Sequence, residues 1–309
     1  MVCTFSSRGF DNSQHHTAYI VAYRTTSTMA SSISQIKSGL ILVLFMACNS
    51  LPDPLMKEKD MEFGIIPGDE TTIVKPPHSH PWVVGLVDHR HGRIKCGGTL
   101  LKGVRRDYVL TAAHCVDPSY PNGFKVSHVI VGEHDQKNPY DGQQFVAVKN
   151  VKYHPKWRKM GTTDYDLAII KLYSTISNPG ARAINLPRVN DKFSKYIVDG
   201  WGSTGFGKGS DVLRTVDLDD IKSTDPWASK CRHLSIFRFD IHICGENLKN
   251  IERGTCGGDS GGPWVARARG MDILAGVHIL GECSNHGVPH AAMRLSQRDI
   301  RKWIIKNRS

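Results

Sequence analysis

The stretch G-G-D-S-G-G-P, residues 257–263, narrows the choice of fold more than any other part of this sequence. Four glycines flank Ser260 in two pairs, and glycine accepts backbone angles that other residues avoid. Successive N–H groups in such a segment can point into one concavity and stabilise a negatively charged oxygen. A glycine-rich turn that arose by chance is the alternative, so other segments of the chain have to decide.

Two segments further upstream contain a histidine and an aspartate, which are residue types that can act together with a serine. T-A-A-H-C (111–115) surrounds His114 with small residues and a cysteine, which can hold an imidazole close to packed backbone, although a lone histidine is more often structural. In D-Y-D-L-A-I-I (164–170), Asp166 abuts an apolar run, and a buried carboxylate needs a partner such as an imidazole N–H. A turn residue at the start of the strand is the alternative, and that role suits Asp164 better.

From about Ile65 onward, short apolar runs alternate with Gly, Pro, Asn and Asp. This spacing of β-branched runs is typical of all-β barrels or sandwiches. A single helix is predicted at the end, where Leu295, Ile300, Trp303 and Ile304 fit one face. Examples of these predicted strand segments are 82–87, 108–113, 128–132, 145–148, 167–172 and 196–202.

The three segments TAAHC, DLAII and GDSGGP occur in the order found in the chymotrypsin/trypsin family of serine peptidases, and residues 65–309 resemble that family. The resemblance implies two packed antiparallel six-stranded β-barrels, at about 65–180 and 181–309, with a short C-terminal helix. It implies a serine endopeptidase acting through an acyl-enzyme, with Ser260 as nucleophile, His114 as general base and Asp166 orienting the histidine. The N–H groups of Gly258 and Ser260 would form the oxyanion hole.

Six of the eight cysteines fall within residues 65–309, and an even number is expected in an oxidising compartment. Six cysteines allow 15 pairings, so the count alone leaves the connectivity open. The family resemblance implies the pairs Cys96–Cys115, Cys231–Cys244 and Cys256–Cys283.

The apolar run L-I-L-V-L-F-M-A (40–47) is too short to span a bilayer and suits the core of a signal peptide. We therefore expect a secreted protein whose residues 1–48 are an upstream extension and signal peptide starting at Met29. Residues 49–64 would be a short pro-segment. A buried strand or helix is the alternative for the apolar run.

The segments that would bind substrate depart from the family pattern. Gly254 stands where trypsin-like members carry an Asp, and Gly287 is assigned to the second pocket position, so both are neutral and a preference for apolar residues is predicted, as in chymotrypsin or elastase. His278-Ile279-Leu280 replaces Ser-Trp-Gly in the strand that pairs with substrate. Leu280 would narrow the pocket mouth, and His278 would either hydrogen-bond Asp166 or disturb it. A catalytically silent homologue that acts as a binding module is the alternative function.

Activation in the family exposes an Ile-Val-Gly-Gly amine that pairs with the Asp before the nucleophile, here Asp259. The nearest match is Ile65-Ile66-Pro67-Gly68, preceded by Gly64 rather than Lys or Arg. Ile73-Val74 is a poorer candidate, because it lies close to Pro81.

The net charge of +11 results from 40 basic and 29 acidic residues, without a run of five Lys or Arg. A mild cluster near the C-terminus is a solvated helix face, with a heparin-like contact as the alternative.

We expect a monomer with a protein or peptide substrate and protein inhibitors, and neither a nucleic-acid partner nor a membrane span. No cofactor is predicted. Calcium stays an alternative, because Gly132-Glu133-His134-Asp135 resembles a calcium loop while Tyr140 and Gln143 occupy later ligand positions.

Overall fold

Twelve strands and three short helices make up the part of the chain that the computed structural model describes, residues 72–158, 164–204, 209–234, 237–281 and 287–308. The first six strands close into an antiparallel barrel in the order β1-β2-β3-β6-β5-β4. They are β1 (Val83–Val87), β2 (Cys96–Leu101), β3 (Tyr108–Thr111), β4 (His128–Val131), β5 (Gln144–Tyr153) and β6 (Ala168–Leu172).

The last six strands close into a second antiparallel barrel in the order β10-β11-β12-β9-β8-β7. They are β7 (Lys195–Gly200), β8 (Arg214–Asp220), β9 (His242–Glu246), β10 (Pro263–Ala268), β11 (Met271–Leu280) and β12 (His290–Arg294). The predicted fold class of two six-stranded barrels is therefore confirmed. Each of the six apolar runs found in the sequence overlaps a strand, because β-branched residues pack well on a pleated, buried surface.

The helices are α1 (Ala113–Val116), α2 (Ala228–His233) and the C-terminal α3 (Arg298–Lys306). In α3, Ile300, Trp303 and Ile304 are buried, as the apolar periodicity predicted, and they join the same core cluster as strands of both barrels. Leu295 is also buried but precedes the helix, which is capped by the side chain of Gln297. Within the described ranges, every helix is too short or too polar to cross a membrane.

Two of the predicted disulfides, Cys96–Cys115 and Cys231–Cys244, are present. Each typically stabilises a fold by about 2–4 kcal/mol, chiefly by restricting the unfolded chain. Cys256 is also disulfide-bonded, and its predicted partner Cys283 lies outside the described residues. The predicted signal peptide, the pro-segment and Ile65 lie outside them too.

Candidate active site

The pairing of β3 with β6 brings His114 and Asp166 together. Thr111, at the end of β3, pairs with Ala168, at the start of β6, so the residues just beyond these two ends are neighbours. Asp166 is buried and accepts two hydrogen bonds from His114, from Nδ1 at 2.6 Å and from the backbone N–H at 2.8 Å. A carboxylate only accepts hydrogen bonds, so the proton lies on Nδ1 and Nε2 is left as the basic nitrogen.

The environment of His114 favours its protonated form. Burial lowers the pKa of the imidazole, but the charge of Asp166 and its hydrogen bond outweigh burial, and the pKa is raised above the usual value. The side chain keeps 19% of its surface exposed, so a proton donor can reach it. This combination suits a general base that has to carry a positive charge for a short time.

Ser260 lies at the junction between the barrels, half-buried beside the Cys96–Cys115 disulfide. Its carbonyl oxygen accepts a hydrogen bond from Gly97 N at 2.8 Å. The sulfur of Cys115 is 3.5 Å from that carbonyl oxygen and 3.8 Å from His114 Nε2. One sulfur atom therefore contacts both residues, so the backbone of Ser260 lies close to the basic nitrogen of His114.

The backbone around Ser260 depends on glycine at two positions. Gly261 has φ +81°, and a Cβ there would collide with Thr111 Oγ1 and the Gly97 carbonyl. Gly258 has φ +102°, with the Cα of Gly202 3.1 Å from where its Cβ would be. Both conformations are ones that residues with a side chain rarely adopt.

Two of the four backbone N–H groups of residues 258–261 are used within the protein. The N–H groups of Asp259 and Gly261 donate to the carbonyls of Cys256 and His278. Within the described ranges, those of Gly258 and Ser260 donate to no backbone carbonyl. These are the two donors that the sequence assigned to the oxyanion hole, and they alternate with the two that are used internally.

Asp259 is fully buried and held by backbone donors alone among the described residues. Its carboxylate accepts from Gly202 N and Cys256 N, each at 2.8 Å. Burial raises its pKa to about 6, even though these two hydrogen bonds lower it. Ile73, the poorer activation candidate, is bridged to Arg214, and Val74 N donates to Leu213 O, so this segment is tied into the second barrel.

The residue that faces Gly254 is His290, which the sequence analysis missed. A Cβ on Gly254 would lie 2.5 Å from His290 Cε1, and one on Gly281 would lie 2.9 Å from His290 Nδ1. The imidazole is 3% exposed and bonded to Thr255 Oγ1 at 2.8 Å. It therefore fills the slot between the two segments that would form the pocket walls.

Gly287 is placed elsewhere, which corrects its assignment to the pocket. A Cβ on Gly287 would lie 3.3 Å from Lys230 Nζ and 3.9 Å from the ring of Trp227. Its carbonyl accepts a hydrogen bond from Lys230 Nζ at 3.1 Å. The assignment was three residues early because spacing alone does not show where β12 begins.

A buried carboxyl group lies behind His290. Glu246 Oε1 is 3.9 Å from His290 Nε2 and accepts from Asn247 N, while Oε2 has no hydrogen-bond partner among the described residues. Burial raises the pKa of Glu246 to about 7 and lowers that of His290 to about 4. Near neutral pH, then, the imidazole is uncharged and the carboxyl is only partly ionised.

The other departures from the family pattern lie on β11, close to the triad of Ser260, His114 and Asp166. His278 is buried, and its Nδ1 accepts a hydrogen bond from the indole N–H of Trp264 at 3.2 Å. Burial, together with the charges of His290 and His114, holds its pKa well below the usual value, so it stays neutral. The ladder to β12 has an irregularity between His278 and Leu280, where Ile279 is buried and Leu280 is half-buried.

The loop that resembles a calcium site bonds its acids internally. Asp141 accepts hydrogen bonds from the N–H groups of His134 and Asp135. Burial, followed by the hydrogen bond and charge of Asp141, raises the pKa of Glu133 to about 8. Among the described residues, no group of three or more His, Cys, Asp or Glu side chains is arranged to hold a metal ion.

Comparison with known proteins agrees with this geometry. The model of the trypsin family matches residues 71–304. Granzyme B of Rattus norvegicus is 34% identical over 239 residues, which is 74% of this chain and 87% of granzyme B. The solved structure of neuropsin, a serine protease from mouse brain, superposes with a TM-score of 0.61 at 24% identity, over 77% of this chain and 99% of that one. At that identity the superposition supports the fold.

Proposed function

Since this chain belongs to the trypsin family of serine peptidases, we propose that it is a secreted endopeptidase that cleaves after small apolar residues. The observation that carries the choice of substrate is the imidazole of His290, which occupies the slot beside Gly254. An uncharged, shortened pocket offers no compensation for burying a cation and no room for a large ring.

Each residue of the site has one role in the proposed hydrolysis of the peptide bond. Ser260 Oγ attacks the substrate carbonyl carbon, and His114 Nε2 takes the hydroxyl proton and later passes it to the leaving amine. Asp166 keeps the other nitrogen protonated and stabilises the positive charge on the ring. The N–H groups of Gly258 and Ser260 stabilise the oxyanion, and water then hydrolyses the acyl-enzyme. These groups supply the whole reaction, so we expect no cofactor.

Export and substrate class follow from separate features. The apolar run at 40–47 is typical of a signal peptide, and disulfides persist in oxidising compartments. Proteins or peptides are the substrates of this family, and we expect the enzyme to act as a monomer that protein inhibitors can bind.

Labelling with a fluorophosphonate tests the nucleophile. The processed wild-type enzyme should form an adduct at Ser260, and the Ser260→Ala variant should form none. An unlabelled wild-type protein of normal stability would instead support the silent homologue.

A panel of peptides that differ only in the residue before the cleaved bond tests the pocket. We expect kcat/KM to be highest for Ala or Val and at least about tenfold lower for Phe, Lys and Arg, because a misfit in such a pocket costs roughly 1–3 kcal/mol. Faster cleavage after Arg or Lys than after Ala would contradict the specificity while leaving the peptidase assignment intact.

A further inference from the structure

A strongly basic groove lies on the first barrel, apart from the active site. It has a cavity volume of about 660 Å³ and is formed by the turn before β3, the middle of β5, the end of β6 and the end of α3. Its basic residues are Arg105, Arg106, Lys149, Lys152, Lys171 and Lys306. The basic cluster near the C-terminus consists of Arg298, Arg301, Lys302, Lys306 and Arg308. Of these residues, Lys306 alone lines this groove.

A register shift in β5 brings several positively charged side chains to the same surface. The ladder between β5 and β6 shifts register between Val148 and Asn150. In a regular strand, neighbouring residues point to opposite faces, but a bulge lets consecutive side chains turn outward. Lys149, Asn150 and Lys152 are accordingly all exposed and all line the groove.

Carboxylates do little to neutralise this surface. The only acidic residue among the lining residues, Asp107, forms an ion pair with Lys102 at 3.3 Å. Within the described ranges, no ion pair is formed by Arg105, Lys149, Lys152 or Lys306, whereas many basic residues elsewhere face a carboxylate, for example Arg238 with Asp164 and Arg269 with Asp191.

Two of the basic side chains, the exposed Arg106 and the half-buried Lys171, bind main-chain oxygens. Arg106 donates to the carbonyl of Tyr173, and Lys171 donates to that of Asn307. Burial, and then repulsion by the charge of Lys152, lower the pKa of Lys171. A bound polyanion would relieve that repulsion.

We propose that this groove binds a linear sulfated polysaccharide. Six cations spread over four elements match several anionic groups on one chain better than a single phosphate. None of the lining residues is aromatic, so nucleic-acid bases would have nothing to stack on. The groove lies at the start of β3 and the end of β6, whereas His114 and Asp166 lie at the opposite ends of these strands. The bound polysaccharide therefore leaves hydrolysis of short peptides unchanged.

Heparin affinity of the full-length chain tests the proposal. The variant Lys149→Gln/Lys152→Gln/Lys306→Gln is compared with Lys192→Gln/Lys222→Gln/Lys249→Gln, which removes the same charge from exposed sites elsewhere. By counterion release, each lost contact lowers the slope of log Kd against log salt by about one. We expect the first variant to lose a slope of about three and at least tenfold in affinity near 0.15 M salt, and the second to behave like the wild type.

Equal losses in the two variants would overturn the proposal, because they would mean that net charge alone governs binding. Tighter binding of an oligothymidylate of the same length than of heparin would overturn it in favour of a nucleic acid. Melting temperatures verify that both variants fold. The binding measurement does not use catalysis, so failure of the proposed peptidase function would be seen separately.

Discussion

His290 is the residue on which the proposed substrate preference depends, because its imidazole lies between Gly254 and the buried carboxyl of Glu246. Replacing it by glycine should open the slot and expose that carboxyl to substrate. We predict that His290→Gly gains at least about 100-fold in kcat/KM for peptides with Lys or Arg before the cleaved bond, because a buried carboxylate then meets a cation. Kinetics on the same peptide panel measure the change.

The matched control for this prediction is His290→Gly/Glu246→Gln, which opens the slot equally but removes the acid. It should cleave after apolar residues and lose the gain for Lys and Arg. If both variants favoured basic residues equally, Glu246 would have no part in the preference. Fluorophosphonate labelling of both verifies that the triad remains assembled.

At this scale the sequence was informative where chemistry is local. The pocket position could be assigned to Gly254 from its distance to Ser260 along the chain, and glycine carries no charge. His290 could not, because it reaches Gly254 only through the pairing of β12 with its neighbours. Its position immediately before the apolar A-A-M was the one signal that could have located it, since that run marks the start of a buried strand.

At the scale of an element, the loop between β4 and β5 makes stability depend on pH. Glu133 keeps a proton up to about pH 8 in the folded chain and releases it near 4.5 when unfolded. The folded state thus binds more protons between these values, and stability falls as pH rises through them. We predict that Glu133→Gln removes this loss, so that from pH 5 to pH 8 the variant gains at least about 1 kcal/mol relative to the wild type, or roughly 2–4 °C in Tm.

Thermal melts at several pH values check this prediction, with the exposed Glu252→Gln as control. The control should follow the wild type at every pH. A constant difference between Glu133→Gln and the wild type from pH 5 to pH 8 would contradict the proposed protonation.

Six of the twelve strands were predicted from named apolar runs, because burial selects β-branched runs that are visible in the sequence. Their irregularities were not. The register shifts at Val148/Asn150 and at His278/Leu280 arise from how neighbouring strands meet, and no single run records them. The hydrogen bond from Trp264 to His278 likewise joins residues 14 positions apart, and no sequence pattern predicted it.

At the scale of the whole molecule, function requires the barrels to meet. The first barrel supplies His114 and Asp166 and the second supplies Ser260, and Gly97 N joins them through the Ser260 carbonyl. The order of three motifs was enough to predict this arrangement. The basic groove was not predicted, because its residues come from four elements that are separate along the chain.

In the proposed activation, Asp259 would link the new N-terminus to the stability of the chain. In the folded structure burial raises the pKa of this carboxyl from 3.8 to about 6, so the unprocessed chain should lose stability as pH rises from about 4 to 6. Once cleavage exposes the amine of Ile65, an ammonium beside Asp259 would lower that pKa and reverse the trend.

We predict that the processed enzyme begins at Ile65 and gains stability over this pH range relative to the unprocessed chain. We also predict that the Asp259→Asn variant loses at least about 100-fold in kcat/KM. N-terminal sequencing, pH-dependent melts and peptide kinetics measure these three effects, with Asp217→Asn, at an exposed position of β8, as the control. Parallel pH profiles for the processed and unprocessed chains would show that no cation reaches Asp259 on activation.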